Sequence, residues 1–135
     1  MPRPPAPRLD NIRVLIVDDD ATFADLLRTT LASHEHVEVV GVARDGVEAI
    51  ELAETLAPTL VVMDMTMPRM GGIEAAERLA RLPRPPRVVM ITGSDSPTAD
   101  RRAFAAGASA YLRKSGDLPA MIDMVVGMSS VTAPA

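Results

Sequence analysis

Four apolar runs in this chain end on side chains of the kind that do chemistry. Ile12–Val17 runs into Asp18, Asp19 and Asp20, Leu60–Met63 into Asp64, and Val88–Ile91 into Thr92; a shorter run ends on Lys114, the only lysine beside thirteen arginines. If these runs are strands of one parallel sheet, the polar groups share its carboxyl edge, where open α/β sheets bind ligands. Asp18, Asp19 and Asp64 would then converge, and like charges so close either raise one another's pKa or demand a cation. A set of oxygen ligands suits Mg2+. Asp19 and Asp64 are the expected direct ligands, with a backbone carbonyl near Thr66, and Asp18 acts through water. Adjacent acids at a strand end often only cap the next helix, and Asp20 is assigned that role. Asp64 can also serve as a nucleophile, its carboxylate attacking phosphorus to give an aspartyl phosphate. Charge on the phosphoryl oxygens then needs a compact cation, which Lys114 provides better than a planar guanidinium, and a hydroxyl donor, which Thr92 provides.

The elements that must position these groups alternate. Ile12–Val17 is continuous and apolar, as a strand covered on both faces should be. Thr22–Ala32 reads as a helix with a core stripe of Phe23, Leu26, Leu27, Thr30 and Leu31. Strand two is Val37–Val42. Asp45 is placed as the N-cap of helix two, with Glu48 completing a capping box, and the helix stops before Pro58. Strand three is Thr59–Met63, and Asp64–Gly72 is a loop rich in turn residues. Helix three covers Ile73–Leu82 and ends at the prolines that follow. Strand four is Arg87–Ile91. Helix four starts at Pro97 and closes at Gly107. Strand five is Ser109–Leu112, and Asp117 caps a helix five that runs to about Met128. Five strands alternating with five helices predict a doubly covered parallel sheet, with the flavodoxin-like order 2-1-3-4-5 as the natural candidate.

Composition narrows the class. The chain has 135 residues, a formal charge of −4 and 47% apolar residues, which suits one domain with a full core. Residues 1–10 read as a disordered Pro/Arg-rich lead-in, 11–128 as the domain, and 129–135 as a frayed tail. There is no cysteine, no secretory h-region and no apolar run long enough to span a bilayer, so a cytoplasmic location is expected and a membrane is not. Scattered arginines form no basic stripe, so direct nucleic-acid binding by the domain is not expected.

The segments VLIVDDD (Val14–Asp20), LVVMDMTMPRMGG (Leu60–Gly72), VVMITGSDS (Val88–Ser96) and GASAYLRKS (Gly107–Ser115) resemble the receiver domain of two-component response regulators. The resemblance extends from about Ile12 to Met128. It implies a phosphoacceptor module, not an enzyme with its own substrate, that is loaded by a sensor histidine kinase with Mg2+; control of transcription is the expected output. Carried over by position, Asp64 is the implied phospho-acceptor and Asp18 and Asp19 the implied acidic pocket. Thr92 and Lys114 are the implied phosphate-sensing pair, and Tyr111 is the implied aromatic switch. The sequence departs from the pattern at Ser115, where proline is common, and at Gly93, where alanine is common. Thr66 and Ser94 fall where the family tunes dephosphorylation.

Rival chemistries fit less well. A flavin-binding protein of this topology needs a Ser/Thr/Gly-rich loop after strand one and rings around the flavin; three aspartates stand there, and the chain has one tyrosine, two phenylalanines and no tryptophan. Aspartate-nucleophile phosphatases use Asp-x-Asp, whereas Asp64 is followed by Met65 and Thr66. A receiver-like module that is never phosphorylated has no need of the full set of pocket residues. Helix five carries a core stripe of Leu118, Ile122 and Val125, edged by Met121 and Val126, yet Ala120, Met124 and Met128 continue the apolar surface further round. That points to a partner or a homodimer through helix four, strand five and helix five. His34 and His36 are read as solvent-facing. Met63, Met65, Met67, Met70 and Met90 are read as adaptable packing around the site.

Overall fold

The apolar runs are continuous because both faces of their sheet are covered. A computed structural model describes residues 12–93 and 97–130. The expected lead-in, Ser94, residues 131–135 and the side chain of Met128 lie outside what is described. The order is β1 (Ile12–Val17), α1 (Ala21–Ala32), β2 (Val37–Ala43), α2 (Gly46–Leu56), β3 (Leu60–Asp64), α3 (Gly72–Leu79), β4 (Arg87–Thr92), α4 (Ala99–Ala105), β5 (Ala110–Arg113) and α5 (Leu118–Ser130). The strands pair in parallel in the order β2-β1-β3-β4-β5, as expected.

Alternation along each strand divides the core in two. Val14 and Ile16 of β1 join Leu60, Val62, Val89 and Ile91 beneath Ala24, Leu27, Leu31, Ile122 and Val125 of α1 and α5. Leu15 and Val17 turn the other way, joining Val61, Met63, Val88 and Met90 beneath α2, α3 and α4. That second layer meets the sheet largely through alanines: Ala49, Ala53, Ala75, Ala76, Ala99 and Ala103. Small side chains bring these helices close to the strands. At the start of α3 even alanine is too large: a Cβ on Gly72 would lie 2.5 Å from the Asp64 carbonyl oxygen and 2.9 Å from Met65 Cα. Glycine there lets α3 begin directly against the end of β3.

Several expected boundaries shift. The buried stripe of α1 is Ala24, Leu27 and Leu31, while Leu26 is 51% exposed and Phe23 and Thr30 are half-buried. A helix that contacts the sheet through Ala24 needs only a narrow stripe, so Leu26 turns outward. Helix α3 ends at Leu79 instead of Leu82; Leu82 precedes Pro83, whose ring disfavours helical backbone at the residue before it. Pro97 and Thr98 lie in a turn ahead of α4, and Thr98 takes the N-cap position without a side-chain cap bond. Gly107 closes α4 with φ +107 as expected, and Asp117 caps α5 by accepting from the Ala120 N–H at 3.2 Å. Helix α5 runs to Ser130, past the point where fraying was expected to begin. Gly127 adopts no positive φ that would stop it.

Candidate functional site

Strands β1, β3, β4 and β5 end at one edge of the sheet, which brings Asp18, Asp64 and Lys114 into contact and leaves Thr92 at the adjoining strand end. Asp18 is 3% exposed, Asp64 7% and Thr92 2%. Lys114 Nζ reaches back across the strand ends to Asp18 Oδ2 at 2.9 Å and Asp64 Oδ2 at 3.3 Å. Its backbone N–H bonds to the Thr92 carbonyl at 2.8 Å, which fixes the root of the side chain. Asp64 Oδ1 accepts from the Thr66 N–H at 3.2 Å. Asp19 stands on the exposed side, yet one carboxylate oxygen from each of Asp18, Asp19 and Asp64 lies within 4.8 Å of the others. Asp20 does what was expected of it, accepting from the Thr22 and Phe23 N–H groups to cap α1.

Electrostatics follow from this crowding. Burial lifts the Asp18 carboxyl above its ordinary value, and the Asp64 charge adds to the rise; the Asp20 N–H and the Lys114 ammonium oppose it. Burial would pull Lys114 down, but the hydrogen bond to Asp18 and the charge of Asp64 outweigh it and lift the ammonium above its usual range. Three carboxylates against one ammonium leave two negative charges uncompensated. Every donor in the cluster is a hard oxygen. Both features fit a divalent ion such as Mg2+ at the Asp18, Asp19 and Asp64 carboxylates.

Tyr111 is half-buried on β5 and packs against the core layer under α2–α4. Met63, Met65, Met70 and Met90 are buried in that layer and Met67 packs at its edge, as expected of adaptable filler. His34 departs from expectation: it is partly covered, with Nε2 3.8 Å from Asp123 Oδ1 on α5. The turn after α1 folds it back against the terminal helix. His36 is exposed as expected.

Two features were not read from the sequence. Phe23 was placed in the helix stripe, but its ring lies under the Lys114 ammonium, 4.7 Å from Nζ to the ring centroid. The available signal was its position in the first turn of α1, directly above the strand ends. The second is an ion pair that ties the β3–α3 loop to α2. Asp45 caps α2 through Oδ1, which accepts from the Glu48 N–H at 2.9 Å, while Oδ2 accepts from Arg69 Nε and Nη2 at 2.8 and 2.5 Å. Asp45 is only 6% exposed. Among the described residues the Glu48 carboxylate makes no return bond to the Asp45 N–H, so half of the expected capping box is missing. Arg69 has φ 64, a left-handed backbone that costs a non-glycine residue roughly 1–2 kcal/mol. The paired guanidinium offsets that cost and holds the loop that presents Thr66.

The Glu48 N–H and the Arg69 guanidinium hold the Asp45 carboxyl below the usual carboxylate range. A depressed folded pKa contributes stability above the unfolded value of about 3.9, and that contribution is lost as pH falls through the folded value. Melting temperatures taken from about pH 6 down to about pH 2 are therefore expected to fall more steeply for the wild type than for Asp45→Asn. Parallel acid limbs would count against this coupling.

The chain belongs to the family of response regulator receiver domains, whose model matches residues 14–126. It is 42% identical over 106 residues to protein-glutamate methylesterase/protein-glutamine glutaminase 4 of Myxococcus xanthus, covering 78% of this chain and 30% of that protein. It is 43% identical over 116 residues to the transcriptional regulatory protein PdtaR of Mycobacterium tuberculosis, covering 84% of this chain and 54% of that protein. The chain thus spans about a quarter to a half of the length of the curated relatives it matches. Its fold superposes on the response regulator domain of Thermotoga maritima CheB with a TM-score of 0.82 at 29% identity, covering 92% of this chain and 99% of that one. Among the described residues no helix is long and apolar enough to cross a membrane.

Proposed function

We propose that residues 11–128 form a phosphoacceptor module in which Asp64 takes a phosphoryl group from the phosphohistidine of a sensor histidine kinase in a Mg2+-dependent reaction. The observation that carries this reading is the Lys114 ammonium bridging Asp18 and Asp64 at 2.9 and 3.3 Å, beside three carboxylates with oxygens inside 4.8 Å. A salt bridge that served stability alone would need one acid, not a cluster with surplus charge. When bound, Mg2+ neutralises charge on the transferring phosphoryl oxygens. The chain's own groups do the rest. An Asp64 carboxylate oxygen attacks phosphorus, the P–N bond to the histidine breaks, and its electron pair leaves with the imidazole, which takes a proton from water. Lys114 stands within reach of charge on the acyl phosphate, and Thr92 holds a hydroxyl at the adjacent strand end.

The module is regulatory, not an enzyme with a substrate of its own, and works in the cytoplasm. Phosphorylation draws Thr92 toward the new charge and turns Tyr111, which remodels the face of α4, β5 and α5. Control of transcription as the output is supported by the similarity to PdtaR, a transcriptional regulatory protein. Incubation with acetyl phosphate and Mg2+, read by intact mass, tests the reading: one added phosphoryl group is expected, and an unmodified mass defeats it.

Phe104 and Met124, 51% and 45% exposed, place apolar surface on α4 and α5. This favours a homodimer through that face once Asp64 is loaded. Light scattering is expected to show a mass increase when a phosphoryl analogue and Mg2+ are added; a monomer under both conditions would rule self-association out.

A further inference from the structure

We infer that Phe23 is a positioning residue for Lys114, its ring face holding the ammonium over Asp18 and Asp64; its consequence for phosphoryl uptake rests on the phosphoacceptor reading above. Nζ lies 4.7 Å from the ring centroid, inside the roughly 6 Å range over which an aromatic face attracts a cation. An ammonium has three donors and no acceptor. Two carboxylates take part of its charge, and the ring supplies a further electron-rich partner at its side.

The contacts close a circuit. Lys114 Nζ bonds to Asp18 Oδ2 at 2.9 Å. Asp18 Oδ1 accepts from the Asp20 N–H at 2.8 Å. Asp20 Oδ1 accepts in turn from the Phe23 N–H at 3.2 Å. The ring of Phe23 then meets the ammonium. The aspartate that receives Lys114 therefore also sets, through the cap of α1, where the ring stands. The ring is anchored below as well, half-buried against the core layer of α1 and α5.

Beside Gly93 the lysine stem has about a methyl group's space. A Cβ added there would sit in ordinary contact, 3.8 Å from Lys114 Cδ. A lysine stem has many rotamers and a strongly hydrated head. With space beside its stem and water within reach, the head is held by the two carboxylates, and the ring adds a third restraint from its side. An aliphatic residue at position 23 would fill the same core space without offering a negative face.

The chain's single lysine makes this testable, because selectively labelled lysine gives one set of side-chain NMR signals. In the full chain, the Lys114 ε-methylene protons are expected to be displaced upfield by the ring in the wild type and in Phe23→Tyr. Phe23→Leu is expected to lose that displacement and, with acetyl phosphate and Mg2+, to label about fivefold more slowly, while Phe23→Tyr labels at close to the wild-type rate. Phe23→Met is a second ringless variant should leucine fail to fold. An unchanged lysine signal in the ringless variants, or labelling at the wild-type rate, would overturn the inference. If the wild type took no label at all, the phosphoacceptor reading would fail instead, and the lysine signal alone would decide the role of the ring.

Discussion

Asp64→Asn is expected to abolish phosphoryl uptake and to leave the fold in place. An amide is nearly the same size as a carboxylate, and its oxygen can still accept the Thr66 N–H that now lies 3.2 Å from Asp64 Oδ1. Lys114 keeps its shorter bond, to Asp18 at 2.9 Å. What is lost is the anionic oxygen that attacks phosphorus, and an amide oxygen does not replace it. The variant also removes one of three converging negative charges, so its stability without divalent ions should stay within about 1 kcal/mol of the wild type. The gain in melting temperature on adding Mg2+ should shrink, because one ligand of the cluster is gone. Intact mass after acetyl phosphate treatment reads the first effect and a thermal melt the other two. A variant that still took one phosphoryl group would move the acceptor to another acid, with Asp18 and Asp19 the nearest in space.

The site was legible because three of its groups, Asp18, Asp64 and Thr92, end or follow strands that are buried on both faces. A parallel sheet turns such strands into uninterrupted apolar runs, so Asp18, Asp64 and Thr92 announce themselves as the first polar residues after Val17, Met63 and Ile91, while Lys114, past the short edge strand β5, stands out as the chain's one lysine. Parallel pairing then brings those ends together whatever the loops between them do. Helix phase was harder to read. Ala24 carries the contact of α1 with the sheet, and alanine scarcely registers in an apolar pattern, so Leu26 was drawn into the stripe although it faces solvent. Contacts between distant loops were not legible at all. Asp45 and Arg69 are 24 residues apart in sequence, and nothing local marks Arg69 as different from the twelve other arginines. Their pairing depends on how closely the β3–α3 loop approaches α2, which the Gly46 N–H bond to the Met70 carbonyl at 3.0 Å sets. Phe23 is only half legible for a related reason: its local pattern is that of the core residue it partly is, and its second contact comes from the other end of the chain.

Lys114→Gln separates the structural and chemical roles of the ammonium. Without it, Asp18 and Asp64, which now share one cation, face each other across the strand ends. Breaking a fully buried pair costs about 3–5 kcal/mol. Here Lys114 is 20% exposed and Asp19 opens the cluster to water, so a loss of about 1–2 kcal/mol is expected in the absence of divalent ions. Removing a positive charge beside the acids should also tighten Mg2+ binding by about tenfold, since a unit charge at this range is worth more than the 1.4 kcal/mol that a tenfold change requires. Saturating Mg2+ should therefore restore most of the lost melting temperature, because an ion held only by the folded state stabilises it by mass action. Phosphoryl uptake should not recover. Glutamine offers the acyl phosphate no positive charge, and loss of one electrostatic partner of a developing charge typically costs about a hundredfold or more in rate. The two readouts must therefore diverge in the same sample. If Mg2+ restored uptake together with stability, Lys114 would be a structural counter-ion and nothing more.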